Sequence, residues 1–193
     1  MLFNFPQNGE VTVTTHHHPH TFVDLITHAD VMETTGTFGA IQQQTDAGGR
    51  SQVAFYHFRL KSAVEAYFDL EEPGVFLNYV VTGRIDAHHD QLGDMWQQHH
   101  TCSLSYLPTG KHCYRIQKGN CISVKVKISL PLIEMLSKSY PDLHTFYKRA
   151  STLSPDGWRL PYVPTGSKTT KLLRQLASWT NRRTPRSIGR QPG

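Results

Sequence analysis

CISVKVKIS, residues 121–129, alternates without a break: Ile122, Val124, Val126 and Ile128 fall on one side, and Ser123, Lys125 and Lys127 on the other. Successive side chains of an extended chain point to opposite faces, so the stretch predicts a half-buried β-strand. Upstream of it lie more runs of the same kind: VAFYHFRL (53–60), VEAYFDL (64–70), VFLNYVV (75–81) and TCSLSYL (101–107). They mix aromatic with β-branched residues and are punctuated by Pro73-Gly74, Thr82-Gly83, Gly93-Asp94 and Lys118-Gly119-Asn120. Short strands in series, with no helical period between them, predict a sandwich or a small barrel.

Downstream of Ser129 the period changes. Pro131 sits near a helix start, with Leu132, Ile133, Met135 and Leu136 as its apolar stripe. Pro141 ends that helix and Asp142 caps a second, in which Leu143, Phe146, Tyr147 and Ala150 fall at i, i+3, i+4 and i+7. A Pro/Gly-rich connector, SPDGWRLPYVPTG, precedes a third helix capped by Ser167, with Leu172, Leu173, Leu176 and Trp179 on one side. The fold class expected is therefore β-rich α+β. Residues 1–50 form a polar segment with the first strands, 51–129 the β-barrel, 130–180 a helical region and 181–193 a basic disordered tail.

A chain of 193 residues is long enough to bury one ordinary core. No stretch approaches the ~18 apolar residues of a membrane span, and MLFNFPQNGE lacks the layout of a secretory signal. Cys102, Cys113 and Cys121 are odd in number and have no Cys-x-x-Cys spacing, which suits free thiols in a reducing cytoplasm. The net charge of +5 is unevenly spread: no acidic residue follows Asp156, so residues 1–156 carry 12 basic against 15 acidic side chains. The tail NRRTPRSIGRQPG has four Arg and no aromatic, which reads first as a solvated end and second as a nonspecific nucleic-acid contact.

HHDQLGDMWQQHH, residues 88–100, has a histidine pair at each end. A turn centred on Asp94 would oppose His88 to His100 and His89 to His99, one pair on each face of a hairpin. Two histidines make half a zinc site, with Asp90 or Cys102 as a conceivable third ligand, while Gln91, Gln97 and Gln98 read as a solvated hairpin. The metal cupins need a His-x-His pair after a glycine with a glutamate downstream; after Gly83 this chain has adjacent His88-His89 and no glutamate. In Pro108-Thr109-Gly110-Lys111-His112 the histidine stands one place early for their second motif. The stretch is therefore expected to be a hairpin, with no metal bound and no cofactor. Neither a GxSxG nor a phosphate- or dinucleotide-binding fingerprint occurs.

The series VFLNYVVTGRID, GDMWQQHHTCSLSYLPTGKHCYRI, CISVKVKISLPLIEML and LLRQLASW resembles the sensor domain of bacterial AraC-type transcription regulators, in particular the subgroup related to pyochelin-siderophore regulators. The resemblance runs from about Phe55 to Trp179. It implies a cupin-like β-barrel, or jelly roll, that senses a small effector, helices that mediate dimerisation, and a C-terminal domain with two helix-turn-helix units. Residues 181–193 carry no helix-turn-helix pattern, so the chain is expected to be a cytoplasmic sensing and dimerisation module truncated before its DNA-binding domain, and not an enzyme. DNA contact would need a helix-turn-helix domain supplied by another chain or by an intact gene.

A siderophore-like molecule is one candidate effector, and the effector would sit within the barrel against Phe55, Tyr67, Phe76, Tyr79, Trp96 and Tyr106. Leu172, Leu173, Leu176 and Trp179 would pair two copies into a homodimer. The competing reading is a divergent metal-dependent cupin enzyme using His88 or His89, His99 or His100, and His112.

Overall fold

A computed structural model describes residues 3–5, 10–16, 31–46, 52–166, 168, 169 and 171 of the chain. Its strands are β1 (Thr12–His16), β2 (Val31–Gly36), β3 (Gly39–Asp46), β4 (Val53–Leu60), β5 (Val64–Leu70), β6 (Gly74–His89), β7 (Gly93–Gln98), β8 (Thr101–Leu107), β9 (Gly110–Ile116) and β10 (Gly119–Ile128). Then come α1 (Leu130–Ser137), α2 (Asp142–Ser151), and two-residue strands β11 (Trp158–Arg159) and β12 (Val163–Pro164).

Every strand pairing is antiparallel. The large layer runs β1-β2-β3-β4-β10-β6-β8-β11, with β12 also on β8. The small layer is β5-β9-β6-β7. β6 belongs to both: Gly74–Val80 pair with β8, and Arg84–His89 pair with β7. Between those halves stands Gly83, with φ +78°, where any Cβ would run into the carbonyl oxygen of Asn120 on β10. A residue without a side chain lets the strand turn this corner, and the two layers close into a cupin-like half-barrel. The fold is thus the β-rich α+β class expected, with the two helices laid on its outer side.

Register fixes which side chains look inward. Ser123 stands between Tyr56 and Val80, and Lys125 between Ala54 and Asn78, which is itself beside Ser103. Val124 stands between Phe55 and Tyr79, and Val126 between Val53 and Leu77. The alternation read in CISVKVKIS holds, but the polar row is the one between the layers. Its neighbours there are the main core, which includes Phe38, Phe58, Phe68, Phe76 and Leu107. The apolar row faces out of the barrel. Part of it joins Val53, Phe55 and Tyr79 in a second cluster, and Val75, Leu104 and Tyr106 lie under Ile133 of α1 and Phe146 of α2. The helices need an apolar sheet face to cover, and this is it.

Several local expectations are corrected. The hairpin after β6 does not turn at Asp94: its turn is Asp90–Leu92, with His89 opposite Gly93 and His88 opposite Asp94. A second turn at His99–His100 leads into β8. Gly93 and His100 supply the left-handed positions that these two turns require (φ +71° and +57°). On α1 only Ile133 is buried, while Met135 remains 58% exposed. The connector SPDGWRLPYVPTG contributes β11 and β12, which pair along the edge of β8. Of the expected third helix only Lys168, Thr169 and Lys171 are described, and they are helical; its Ser167 cap, its stripe Leu172, Leu173, Leu176 and Trp179, and the tail 181–193 lie outside the described residues. No helix among the described residues is long and apolar enough to cross a membrane.

Candidate functional site

β10 runs down the middle of the large layer, and Lys125 projects from it into the space between the layers. Its side chain is buried among rings: Nζ lies 5.1 Å from the Tyr114 centroid, 5.2 Å from Phe68 and 5.4 Å from Phe76. Nζ also donates to the Tyr114 hydroxyl at 3.3 Å. Ring faces attract an ammonium, but three rings replace water poorly, and burial pulls the lysine amine down to about 7. Tyr114 on β9 and Tyr56 on β4 are buried as well. Burial pushes both phenols well above their ordinary range, so they persist as O–H groups. The Tyr56 hydroxyl has no hydrogen-bond partner among the described residues.

These groups border a cavity of about 60 Å³. The large layer gives it a polar wall of Tyr56, Asn78, Ser103, Ser105, Ser123 and Lys125. The small layer gives a mainly apolar wall with Ile85, Met95 and Ile116, and Phe3 and Leu92 add to it. The polar wall is ordered by its own bonds: Asn78 Nδ2 donates to Ser105 Oγ at 3.0 Å, and Gln97 Nε2 spans the layers to the Thr101 carbonyl at 2.9 Å. Arg159 of β11 also borders the cavity. It is held by a bond to the Asp94 carbonyl at 3.1 Å and lies over Tyr162 at 4.7 Å. Among the described residues the cavity wall thus holds two basic side chains and no acidic one.

The histidines of 88–100 do not converge. His88 is exposed and meets Asp94 at 2.7 Å, while His99 and His100 stand at the next turn, where His100 Nδ1 is 3.1 Å from the Tyr79 hydroxyl. Strand parity sends His89 the other way, inward, where it stacks with His112 at 5.4 Å and meets Tyr114 edge-on at 4.4 Å.

Among the described residues, His89, Asp90 and His112 form one grouping whose ligating atoms all lie within 4.8 Å of one another. The bonding does not suit a metal. Backbone N–H groups of Gln91 (2.9 Å) and Leu92 (3.2 Å) donate to His89 Nδ1, which leaves the ring proton on Nε2. His112 Nε2–H donates to the Pro108 carbonyl at 2.9 Å, so this pair offers one free imidazole lone pair, at His112 Nδ1. Burial, and then the positive charge of Lys125, hold His89 down to about 3, so it is neutral.

The six aromatics named from the sequence are scattered. Phe55 and Tyr79 lie in the cluster on the outer face of the large layer. Tyr106 lies beneath the helices, its hydroxyl donating to the Ser154 carbonyl at 2.8 Å. Tyr67 is half-buried at the rim of the small layer, bonded to Glu65, and Trp96 is 51% exposed. Phe76 alone touches the site, as one of the three rings around Lys125. None of the six is among the cavity's lining residues. They were chosen by strand position and size, and neither tells which face of a layer is the inner one. Lys125, Tyr56 and Tyr114 went unnamed because a lysine alternating with valines reads as a solvent-facing residue.

No protein-family model matches the sequence, and no curated protein is similar to it. Solved structures do show likeness of fold. One described as an ethanolamine utilization protein Q from Salmonella typhimurium LT2 aligns over 61% of this chain and 94% of its own, at 11% identity and a TM-score of 0.35. The AraC-like transcriptional activator CuxR aligns over 79% of this chain at 8% identity and a TM-score of 0.36, and the chain spans 59% of that protein's length. An oxalate decarboxylase from Bacillus subtilis aligns over 86% of this chain and 47% of its own, at 14% identity and a TM-score of 0.29. None of these likenesses assigns a family or a function to the chain.

Proposed function

We propose that the half-barrel is a small-molecule sensing module, of the kind that AraC-type regulators carry beside a DNA-binding domain, and that it binds its effector around Lys125 without transforming it. The observation that carries this reading is the cavity between the layers, whose wall holds a buried amine and a buried phenol hydroxyl. A buried polar group without a partner is costly, and the Tyr56 hydroxyl has none among the described residues; a ligand that enters the cavity beside it would supply one. The sequence motifs resembling AraC-type sensor domains support the regulatory part. The metal-dependent enzyme reading has less support, because the inward histidines already engage backbone groups through ring nitrogens a metal would need.

The cavity also bounds the effector. An enclosed space of about 150 Å³ holds benzene, so about 60 Å³ accepts roughly two to four non-hydrogen atoms. A whole siderophore is far larger, and the effector is accordingly a small molecule or the head of a larger one. Methyl NMR of Ile85, Ile116 and Met95, followed across a panel of small acids, amides, alcohols and siderophores, tests the reading. A binder moves these methyls and leaves Ile133, beneath the helices, in place. A panel in which no compound moves them overturns it.

A further inference from the structure

We infer, resting on the sensing reading above, that the effector is a short carboxylate whose anionic group is held by Lys125 and Tyr56. Three independent features of the cavity point to that class. The first is charge: Lys125 and Arg159 border it, with no acidic side chain among the described lining residues, so its field favours an anion. The second is the Tyr56 hydroxyl, buried and bonded to no described group, on a residue that lines the cavity. A phenol held in its O–H form is a donor awaiting an acceptor, which a carboxylate oxygen provides. The third is the division of the walls: opposite the polar row stand Ile85, Met95 and Ile116, which suit a short alkyl end and give a second charged group nothing to meet. The volume of about 60 Å³ limits the chain to the size of formate or acetate.

The titratable and charged groups around Lys125 are Tyr114 and His112 of β9, His89 of β6, Tyr56 of β4 and Arg159 of β11, with Asp90 beyond them. His89 is neutral and the two phenols are protonated, and Lys125, lowered by burial to about 7, changes charge near neutrality. A bound carboxylate stabilises its ammonium form. Binding is therefore accompanied by proton uptake above about pH 7, and affinity declines as the solution becomes more alkaline.

The test is calorimetric titration of the full chain with formate and acetate, and with their uncharged counterparts formamide and acetamide. Wild type, Lys125→Met and Tyr56→Phe are compared. The acids are expected to bind and the amides to bind at least about tenfold more weakly, since an uncharged amide cannot make the charge-assisted bond to the Lys125 ammonium. Lys125→Met abolishes the preference and the proton uptake, and Tyr56→Phe, close in shape, weakens the acids alone. If amides bind as well as acids and Lys125→Met changes neither, the carboxylate assignment falls while the cavity remains a ligand site. If neither class binds and no compound of the wider panel moves the cavity methyls, the sensing reading falls with it.

Discussion

Replacing Lys125 with methionine should make the empty protein more stable, and by an amount that depends on pH. The lysine amine is lowered from 10.5 to about 7 by burial, and at ~1.4 kcal/mol per pH unit the charged form in the folded state costs about 5 kcal/mol. An unbranched apolar side chain of similar length recovers most of this, less the ring contacts and the Tyr114 bond it gives up, so a gain of a few kcal/mol is expected below pH 7. Above about 7 the folded state has released the proton, while the unfolded chain holds it to about 10.5. The unfolded state binds more protons across that window, so wild-type stability rises with pH through it. The advantage of Lys125→Met is therefore largest below pH 7 and shrinks toward pH 10. Urea denaturation followed by far-ultraviolet circular dichroism at pH 6, 7.5 and 9 reads the difference directly. Measurement stops short of pH 10, where the raised phenols of Tyr56 and Tyr114 act in the opposite sense. A variant less stable than wild type at pH 6, or a gap that does not change with pH, would refute the placement of a desolvated amine between the layers.

Three further outcomes follow from the geometry. Gly83→Ala forces a side chain into a positive-φ corner against the Asn120 carbonyl and should cost about 2–3 kcal/mol; an unchanged denaturation midpoint would contradict the corner. Phe146→Ala removes the fully buried ring that seats α2 on Val75, Leu104 and Tyr106, and should cost about 3–5 kcal/mol in the same assay. Because His89 is lowered from 6.5 to about 3, the unfolded chain takes up a proton there that the folded state refuses, so this residue removes stability as pH falls from 6.5 toward 3. His89→Asn keeps an acceptor for the Gln91 and Leu92 N–H groups but cannot be protonated in that range. It should flatten part of the acid dependence of stability, while His88→Asn, at an exposed position, should not.

Much of the fold was legible because most strands carry their period openly. β4, β5 and β8 occupy the stretches read as β-like runs, and β10, read from alternation, begins two residues earlier and ends one residue sooner than that stretch. β6 was read as seven residues and is sixteen, because Gly83 was taken for a stop when it is a corner. A positive φ inside a strand looks, in sequence, the same as a turn. The histidine stretch failed for a related reason. Gly93-Asp94 was read as the centre of a turn, but the loop Asp90–Leu92 uses Gly93 as its last position, and that shift of register separates the histidine pairs. The two short strands hidden in SPDGWRLPYVPTG had no period at all; they exist because the edge of β8 offers unpaired backbone groups.

The site was illegible for a deeper reason. Alternation identifies two faces of a strand and says nothing of which one is inside, and the usual inference, apolar inward, is sound only when one face of the sheet is covered. Here both are. The apolar row of β10, continued by Tyr79 and Leu104 in its neighbours, meets the outer clusters and the helices, so the polar row is left to the interior. The amphipathic residues of α2 gave notice of this: a helix with Leu143, Phe146 and Tyr147 on one face needs an apolar sheet surface to lie on, and the residues in β6, β8 and β10 that supply it are no longer available to line a lumen. Once the helix is granted its partner, Lys125 must point into the barrel. It joins there the alternate residues of β4 and β9, Tyr56 and Tyr114, and a lysine that read as a solvent-facing charge becomes the group around which the cavity is built.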